Sequence, residues 1–451
     1  MGYPALKKMK QELFDTIQRL NTTLSSKFGI SDLQDRMVFT ACALVVQRYG
    51  TLPPGQCLGA LSNYILCILQ NTKDGDNQEP LQALADAFSL IRPEDSSSTE
   101  DMTEFVDAVT HLFNYVNSAD YQGEDIMAVM FSEFNRKKGK SDAGQVFTPD
   151  HICDFICRIL GVGDGDRVID TACGSGSLLT KASKYCGMSS VYGVELYNKV
   201  YLLACANVLM HKGSSCHIKK LDATSEDTAA FIRESEATYA ILNPPYERKY
   251  HCSDIVCNVL DNVKAGTKCA FILPDKKLEK ESKLKKCLKR HSLRAIIKLP
   301  EDLFFGVGVS TSIFILEAGE PQNGDPIVGY YIEDDGFVTV KNKGRHDIHN
   351  RWPALCNYWV DAITAGDDTE YNTRQIIDPE KSLSYQMPEK LFEIYEEDFV
   401  KCVMDYEMYK RGIDVKKFKE NLLDAVLYSS EVIETSKGIM IMIQGGAADA
   451  D

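Results

Sequence analysis

The sequence lacks several features that would place it in a class at once. No uninterrupted apolar run approaches the roughly 20 residues that span a bilayer, so no membrane span is expected. The amino terminus, Met1-Gly2-Tyr3-Pro4, leads into Lys7, Lys8 and Lys10 without an apolar stretch or a small-residue cleavage site, which points to a cytoplasmic chain. There is no internal repeat and no long low-complexity tract. Cysteine is not scarce, at 15, but lacks pattern: Cys42, Cys67, Cys205 and Cys269 lie in apolar stretches, and the near pairs Cys153/Cys157 and Cys252/Cys257 lack zinc spacing. Reduced, buried thiols and no metal site are the expectation. Basic charge is in deficit, with 50 Lys and Arg against 65 Asp and Glu, a net charge of −15. A protein that grips nucleic acid by itself carries a basic face, so this total argues against DNA or RNA as a partner.

Read by segment, the charge looks different. Residues 1–143 hold 13 basic and 19 acidic side chains, 144–320 hold 23 and 21, and 321–451 hold 14 and 25. The acid sits at the two ends. The length of 451 residues suggests two or three compact units, and 44% hydrophobic with 25% charged residues is a soluble, globular composition. In the first segment Leu6, Met9, Leu13, Ile17 and Leu20 recur at helical spacing, and similar stripes follow in 35–49, 58–69, 81–91, 102–116 and 124–135. Residues 1–139 therefore read as an all-helical domain. From about 140 to 320 the texture changes to short β-rich runs alternating with helical stretches: Val168–Ile169, Val191–Val194, His217–Leu221, Tyr239–Leu242, Cys269–Leu273, Ala295–Lys298 and Thr311–Leu316. Such alternation predicts an α/β, Rossmann-like domain, a mainly parallel sheet with helices on both faces. The remainder, 321–451, reads as a hairpin of Ile327–Ile332 with Gly336–Val340, helices around 353–364, 390–410 and 414–430, and a frayed tail at 445–449.

Chemistry concentrates at the ends of the first four strands. The first runs into Asp170-Thr171-Ala172-Cys173-Gly174-Ser175-Gly176-Ser177, whose glycines admit close backbone approach and whose following helix offers free N–H groups. The dinucleotide pattern G-x-G-x-x-G fails, because the sixth position from Gly174 is Leu179. Alone, such a loop is equally a tight strand-to-helix turn. Its company adds weight. Glu195 follows the second strand, 21 residues after Gly174, near the spacing at which a carboxylate accepts both ribose hydroxyls of a nucleoside. Asp222 closes the third strand, where a short acid can accept from an adenine amino group, and Asn243-Pro244-Pro245-Tyr246 follows the fourth. Each has a plain alternative, a solvated strand-end acid or a simple turn, but all four fall where open α/β sheets bind ligands.

Gly144-Gln145-Val146-Phe147-Thr148-Pro149, Asp170–Gly176 and Asn243–Tyr246, in that order, resemble the N6-adenine DNA methyltransferases that use S-adenosylmethionine. Within these, the chain looks most like the modification subunit of Type I restriction-modification systems. The likeness continues through Ala270–Pro274 and Phe304–Leu316, is strong over 120–320 and is diffuse elsewhere. It implies an S-adenosylmethionine site built from Phe147, Thr148, Pro149, Asp170, Thr171, Ala172, Cys173, Gly174, Ser175, Gly176, Glu195, Leu196, Asp222 and Ala223, and a catalytic loop of Asn243, Pro244, Pro245 and Tyr246. As partners it implies double-stranded DNA, a specificity subunit that takes two modification subunits, and a restriction nuclease subunit; it implies a partner-binding role for 321–451. Two departures are visible. Thr171 stands where the family usually has proline, and only 22 residues separate Pro245 from Lys268, where many relatives carry a longer insertion.

The tetrad suits the chemistry. Adenine's exocyclic nitrogen is a poor nucleophile because its lone pair is delocalised into the ring. Acceptors such as the Asn243 side-chain oxygen and the Pro244 carbonyl can favour its pyramidal, partly cationic form by electrostatic preorganisation, with no metal or strong base. The target base must leave the duplex, and Tyr246 would stack on it. The basic stretches 275–290, net +5, and Arg136–Lys140 are candidate phosphate contacts or equally solvated surface. Nothing after 320 looks like a large target-recognition domain, which suggests that a separate subunit reads the bases. Methylation of RNA or of protein glutamine, or a catalytically silent subunit, remain as rival readings. On the leading one, the −15 implies a chain that holds DNA poorly by itself and needs a more basic partner.

Overall fold

The structure, a computed structural model, describes residues 3–94, 96–118, 125–135, 148–304, 308–340, 344–369, 373–388, 395–418, 430–435 and 438–443. Met1–Gln386 packs as one compact unit and Met387–Asp451 as another. The first begins with six helices, α1 (Tyr3–Ser26), α2 (Leu33–Tyr49), α3 (Leu58–Asn71), α4 (Gln78–Phe88), α5 (Thr99–Val116) and α6 (Ile126–Asn135). Their starts are written in the sequence. Asp32 accepts from the Gln34 and Asp35 amides at the head of α2, and Ser98 forms a reciprocal capping box with Asp101 at the head of α5. The stripe Leu13, Ile17, Leu20, Leu24 is buried against a cluster of Phe28, Phe39 and Phe105, with the Phe28 and Phe105 ring centres 5.1 Å apart.

Next come α7 (Asp150–Leu160), β1 (Val168–Asp170), α8 (Ser177–Cys186), β2 (Val191–Val194), α9 (Asn198–Leu209), β3 (His217–Lys219), α10 (Glu226–Ser235), β4 (Tyr239–Leu242), α11 (Cys252–Asn262) and β5 (Lys268–Pro274). They are followed by α12 (Lys277–Lys280), α13 (Ser282–Cys287), β6 (Ser292–Lys298), β7 (Thr311–Glu317), β8 (Ile327–Tyr331), β9 (Val338–Val340), β10 (Gly344–His346), α14 (Trp352–Ala365) and β11 (Arg374–Ile377). Nine strands form one sheet in the order β11-β8-β6-β7-β5-β4-β1-β2-β3. Strands β1 to β5 run parallel to one another; β7 is antiparallel between β5 and β6. The sheet is buried on both faces, so its strands alternate between two cores rather than between core and solvent. Ile241, Ala270, Ile272, Ile313 and Ile315 face the core shared with α7, α8, α9 and the amino-terminal helices; Leu242, Phe271, Leu273, Phe314 and Leu316 face α10, α11 and α13. The mainly parallel sheet with helices on both faces, and the helical region before it, are as expected from the sequence.

The strand order matters most at one place. The chain lays down β1, β2 and β3 outward in one direction and then returns, so β4 pairs with β1 on its other side. At this reversal the loops leaving β1 and β4 diverge and open a crevice at the carboxyl edge. Gly193 is what lets β2 lie tight under α8: a Cβ there would sit 2.7 Å from Ile218, 2.8 Å from Leu179 and 3.0 Å from Cys173 Sγ.

Three expectations are corrected. Ile327–Ile332 and Gly336–Val340 do not pair as a hairpin: Ile327–Tyr331 joins the sheet parallel to β6 and antiparallel to β11, and Val338–Val340 pairs with Gly344–His346. The cause lies between them, where the fully buried Asp335 is held by Arg345 at 2.7 and 2.8 Å and by His151 at 3.1 Å, which pulls the chain out of the sheet. In the second unit, α15 (Glu396–Lys410) and the helical residues 415–418 match the helices expected there, and 419–429 lie outside the described residues. Strands β12 (Ser430–Thr435) and β13 (Gly438–Ile443) then form an antiparallel pair that the composition did not suggest; the tail 445–449 lies outside the described residues. Finally, not all cysteines are thiols. Cys257 on α11 and Cys287 at the end of α13 are joined as a disulfide, with Cα atoms 6.5 Å apart, whereas Cys153, Cys157 and Cys252 are buried and free. Thirty residues of separation hid this pair; only the packing of α11 on α13 brings it together. No described helix is long and apolar enough to cross a membrane.

Candidate functional site

The loop after β1 is held from within. Asp170 is buried, and its Oδ1 accepts the Ala172 amide at 2.9 Å. Burial pushes this carboxyl up to about 8, against the help of that amide, and the nearby Glu195 adds to the rise. The backbone then turns through two left-handed residues, Gly174 (φ 58°) and Gly176 (φ 92°), and the latter starts α8 without a side-chain cap. Left-handed backbone there favours glycine, and an uncapped helix start leaves N–H groups for a ligand. A Cβ added at Gly174 would meet nothing within 4 Å, so the loop borders open space. Two hydroxyls in it, Thr171 Oγ1 and Ser175 Oγ, are buried with no hydrogen-bond partner among the described residues. Thr171 is the residue that departs from the proline of the resembled family.

Glu195, just past β2, faces this loop. Its Oε2 accepts the Gly174 amide at 3.1 Å and its Oε1 the Tyr197 amide at 2.7 Å, with the Leu196 amide also turned to the carboxylate, which keeps further acceptor capacity. Burial raises its pKa, opposed by these amides. Leu196 and Tyr197 beside it are about half exposed. Asp222, three residues past β3, is exposed; its Oδ1 takes the Thr224 amide and hydroxyl at 2.8 and 2.7 Å, which lower its pKa. Ala223 is half-buried next to it.

The loop after β4 closes largely on itself. Asn243 Nδ2 donates to Thr148 Oγ1 at 2.9 Å, and the Tyr246 hydroxyl donates to Asn243 Oδ1 at 2.6 Å. Pro244 is buried and Pro245 exposed, and burial pushes the Tyr246 phenol up. Thr148 and Pro149 lead into α7, and the Thr148 side chain meets Asn243 rather than the glycine loop. Phe147 and the preceding Gly144–Val146 lie outside the described residues. The structure thus brings Thr148 to Asn243 and Glu195 to Gly174, while Asp222 stands at the next strand end.

Some residues at the site gave no signal in the sequence. Tyr250, beyond the β4 loop, sets its ring edge-on to Tyr197 with centres 6.3 Å apart, so the segment after Tyr246 reaches back to the loop after β2. Asp125, just before α6, and Asn207 of α9 bond to the glycine loop and to Ser177. No spacing rule links positions 52 or 32 residues apart. In the basic stretch 275–290, Lys277, Lys283 and Arg290 are paired with Glu281, Asp254 and Asp261, while Lys276, Lys280, Lys285, Lys286 and Lys289 are exposed. The second basic stretch, Arg136–Lys140, lies outside the described residues. Among the described residues no group of three His, Cys, Asp or Glu side chains could hold a metal ion.

The profile of a family described as N-6 DNA Methylase matches residues 118–259 and 255–350, together more than half of the chain. The Type II restriction enzyme and methyltransferase RM.BcgI of Heyndrickxia coagulans is 28% identical over 249 residues, 49% of this chain and 39% of that protein. The Type I restriction enzyme MpnII methylase subunit of Mycoplasma pneumoniae is 27% identical over 278 residues, 51% of this chain and 49% of that one. The aligned region thus spans half or less of these relatives' own length. Among solved structures, the type I restriction-modification methyltransferase subunit of Streptococcus thermophilus superposes with a TM-score of 0.56 at 15% identity, covering 82% of this chain and 96% of that one. A chain from a type I R-M complex gives a TM-score of 0.55 at 15% identity, covering 92% and 98%. At such identities these superpositions establish the fold.

Proposed function

The chain belongs to the N-6 DNA methylase family, and from that premise we propose that it transfers the methyl group of S-adenosylmethionine to the exocyclic amino nitrogen of an adenine flipped out of double-stranded DNA. The observation that carries the reading is the loop after β4: a carboxamide oxygen, Asn243 Oδ1, beside the Pro244 carbonyl, at the strand that borders the glycine loop.

The residues around that loop fit the cofactor. Two left-handed glycines, open space over Gly174, an uncapped helix start and two unpartnered hydroxyls form a polar cradle, and Glu195 and Asp222 keep acceptor capacity for ribose and adenine donors. In this reading Asp170 to Gly176, Glu195, Leu196, Asp222 and Ala223 hold the cofactor together with Phe147, Pro149 and the backbone of Thr148, whose side chain is committed to Asn243. Bound S-adenosylmethionine supplies an electrophilic methyl group on a sulfonium. The rest falls to the chain. Asn243 Oδ1 and the Pro244 carbonyl accept the two amino hydrogens of the target base, which localises the lone pair on nitrogen for attack. Thr148 Oγ1, by accepting from Asn243 Nδ2, keeps the amide oxygen turned towards that hydrogen. The Tyr246 hydroxyl occupies Asn243 Oδ1 in the structure, so entry of the base exchanges one hydrogen bond for another and leaves the ring free to stack on the base.

As to assembly, the proposal divides the chain into a helical region 1–139, a catalytic region 140–320 and a partner-binding end 321–451. It works as a modification subunit, two copies with one specificity subunit, with a nuclease subunit as a further partner. Two features support this: the chain's net charge of −15, and α15, which exposes Phe399, Val403 and Tyr406 at helical spacing. Labelled S-adenosylmethionine and DNA, mixed with the chain with and without its specificity subunit, test the reading. Methylation of adenine only in the presence of that subunit is expected. Sequence-specific methylation by the chain alone would overturn the division of labour, and label on RNA or protein but not on DNA would overturn the substrate.

A further inference from the structure

We propose that Asp125 is a positioning residue for the cofactor loop: a buried carboxylate of the helical region that clamps Ser175–Ser177 from behind and so sets the N–H groups aimed at S-adenosylmethionine. This rests on the cofactor reading above and adds to it a residue outside the sheet and its loops.

Asp125 is 5% exposed and stands immediately before α6. Its Oδ1 accepts the Ala128 amide at 2.9 Å, which caps the first turn of α6. The other bonds leave the helical region. Oδ2 accepts the Ser177 hydroxyl at 2.5 Å, and Oδ1 also accepts Asn207 Nδ2 at 2.9 Å. The same Asn207 nitrogen donates to the Ser175 carbonyl at 2.7 Å. Ser175, Gly176 and Ser177 are therefore gripped on both sides of the left-handed glycine, directly through the Ser177 hydroxyl and through Asn207 at the Ser175 carbonyl. Among the described residues no lysine or arginine bonds to Asp125; its carboxyl group is met by hydroxyl, amide and backbone donors, and burial raises its pKa. A buried carboxylate met only by neutral donors is costly, and a hydroxyl donor at 2.5 Å is at the short, charge-assisted end of the range. An N-cap alone needs no such burial, since Asp32 caps α2 while exposed.

The element that carries Asn207 is anchored by the same region. Arg48 of α2 donates to the Leu209 and His211 carbonyls at the end of α9 and to Ser214 Oγ and its carbonyl at 2.9 and 2.8 Å. Asn117, just past α5, donates to the Met210 carbonyl at 3.0 Å and accepts from the Lys212 amide at 2.8 Å. The amino-terminal helices thus fix α9 at its end and the glycine loop through Asn207 and Asp125. In this arrangement the helical region is part of the cofactor site's support.

The test uses the full chain with Asp125→Asn, Ser177→Ala, the double variant and Ser177→Thr. Losing one charge-assisted bond is expected to weaken S-adenosylmethionine binding about tenfold in titration calorimetry for Asp125→Asn. KM for the cofactor rises in step while kcat at saturation stays within a few-fold. Ser177→Ala follows the same trend, the double variant is no worse than Asp125→Asn, and Ser177→Thr keeps wild-type affinity. In the cofactor-free protein, amides 174–179 exchange hydrogen faster in Asp125→Asn than in wild type. Wild-type exchange at 174–179 together with unchanged KM overturns the proposal, as does a fall in kcat with KM untouched. If the wild type binds no S-adenosylmethionine, the cofactor reading fails, and the exchange comparison alone decides for or against Asp125. Should Asp125→Asn not fold, Ser177→Ala decides by the same measurements.

Discussion

The two loops of the site are held by opposite means. The loop after β1 is buried and tied to distant parts of the chain: Ser175 and Ser177 to Asn207 and Asp125, and Gly174 to Glu195. The loop after β4 is tied to itself and to one neighbour, Tyr246 on Asn243 and Asn243 on Thr148, and exposes Pro245. A loop that meets one invariant small molecule gains from rigidity, because the cost of ordering it is met once, in folding. A loop that admits a base swung out of a duplex must give up a contact at each turnover, and the Tyr246 to Asn243 hydrogen bond is such a contact. If this contrast is right, damage to the two loops separates into losses of cofactor affinity and losses of turnover.

The largest separation is expected from Asn243→Ala. Removing the acceptor for the developing charge should lower kcat by roughly 10²–10³-fold, the range for loss of one preorganised group, with S-adenosylmethionine affinity nearly unchanged by calorimetry. Loss of cofactor binding with turnover spared would break the contrast and the role of Asn243 together. Tyr246→Ala comes next. Stacking on a base is worth about 1–3 kcal/mol, so KM for DNA should rise by roughly 5- to 150-fold, whereas Tyr246→Phe keeps the ring and should stay within a few-fold of wild type. A Phe variant as impaired as Ala would mean that the hydroxyl on Asn243, not the ring, is what matters.

The third prediction concerns pH and belongs to the other loop. Asp170 is held up to about 8 by burial, so its folded pKa lies above its unfolded one. The stabilisation associated with its neutral form is complete below the unfolded value of 3.8 and is gone once pH has risen through about 8, so the cofactor-free protein should lose thermal stability between those two values and level off above the upper one. A cationic cofactor favours the carboxylate. Binding should then release a proton and tighten with rising pH, by up to about tenfold per unit below that pKa, and calorimetry in buffers of different ionisation enthalpy would show it. Asp170→Asn should flatten the profile; a slope that survives the substitution points to another group. The smallest effect is expected from Thr148→Val, which removes the acceptor for Asn243 Nδ2. A net hydrogen bond of about 1 kcal/mol predicts a roughly fivefold fall in kcat without a change in cofactor affinity. If affinity falls instead, Thr148 serves the cofactor half and the boundary between the two loops must be redrawn.

Much of the frame was legible because it depends on short-range pattern. The β-rich, apolar runs Cys269–Leu273 and Thr311–Leu316, and the three-and-four spacing of Leu13, Ile17 and Leu20, show up as strands and a helix where expected. Where the pattern was compatible with two partners the reading failed. Ile327–Tyr331 has the apolar content of either a hairpin arm or a sheet strand, and the buried Asp335 downstream, which depends on Arg345 and His151, decided for the sheet. The β12–β13 pair was missed because 414–430 reads as helix, with the strands beginning at its end.

What the sequence by itself determined is the set of reactive groups and their order: Asp170 to Gly176, Glu195, Asp222 and Asn243 to Tyr246, each at a strand end. Strand, loop and helix alternation is a local property, and it places such residues at one edge of a sheet whatever the rest of the chain does. The tertiary structure decided who holds them. That Thr148 meets Asn243, that Cys257 meets Cys287, and that Asp125 reaches Ser177 from the start of a helix in another region depend on the placement of whole elements. That placement is settled by burial of the two faces of the sheet, a sum over the whole core that no short window of sequence contains.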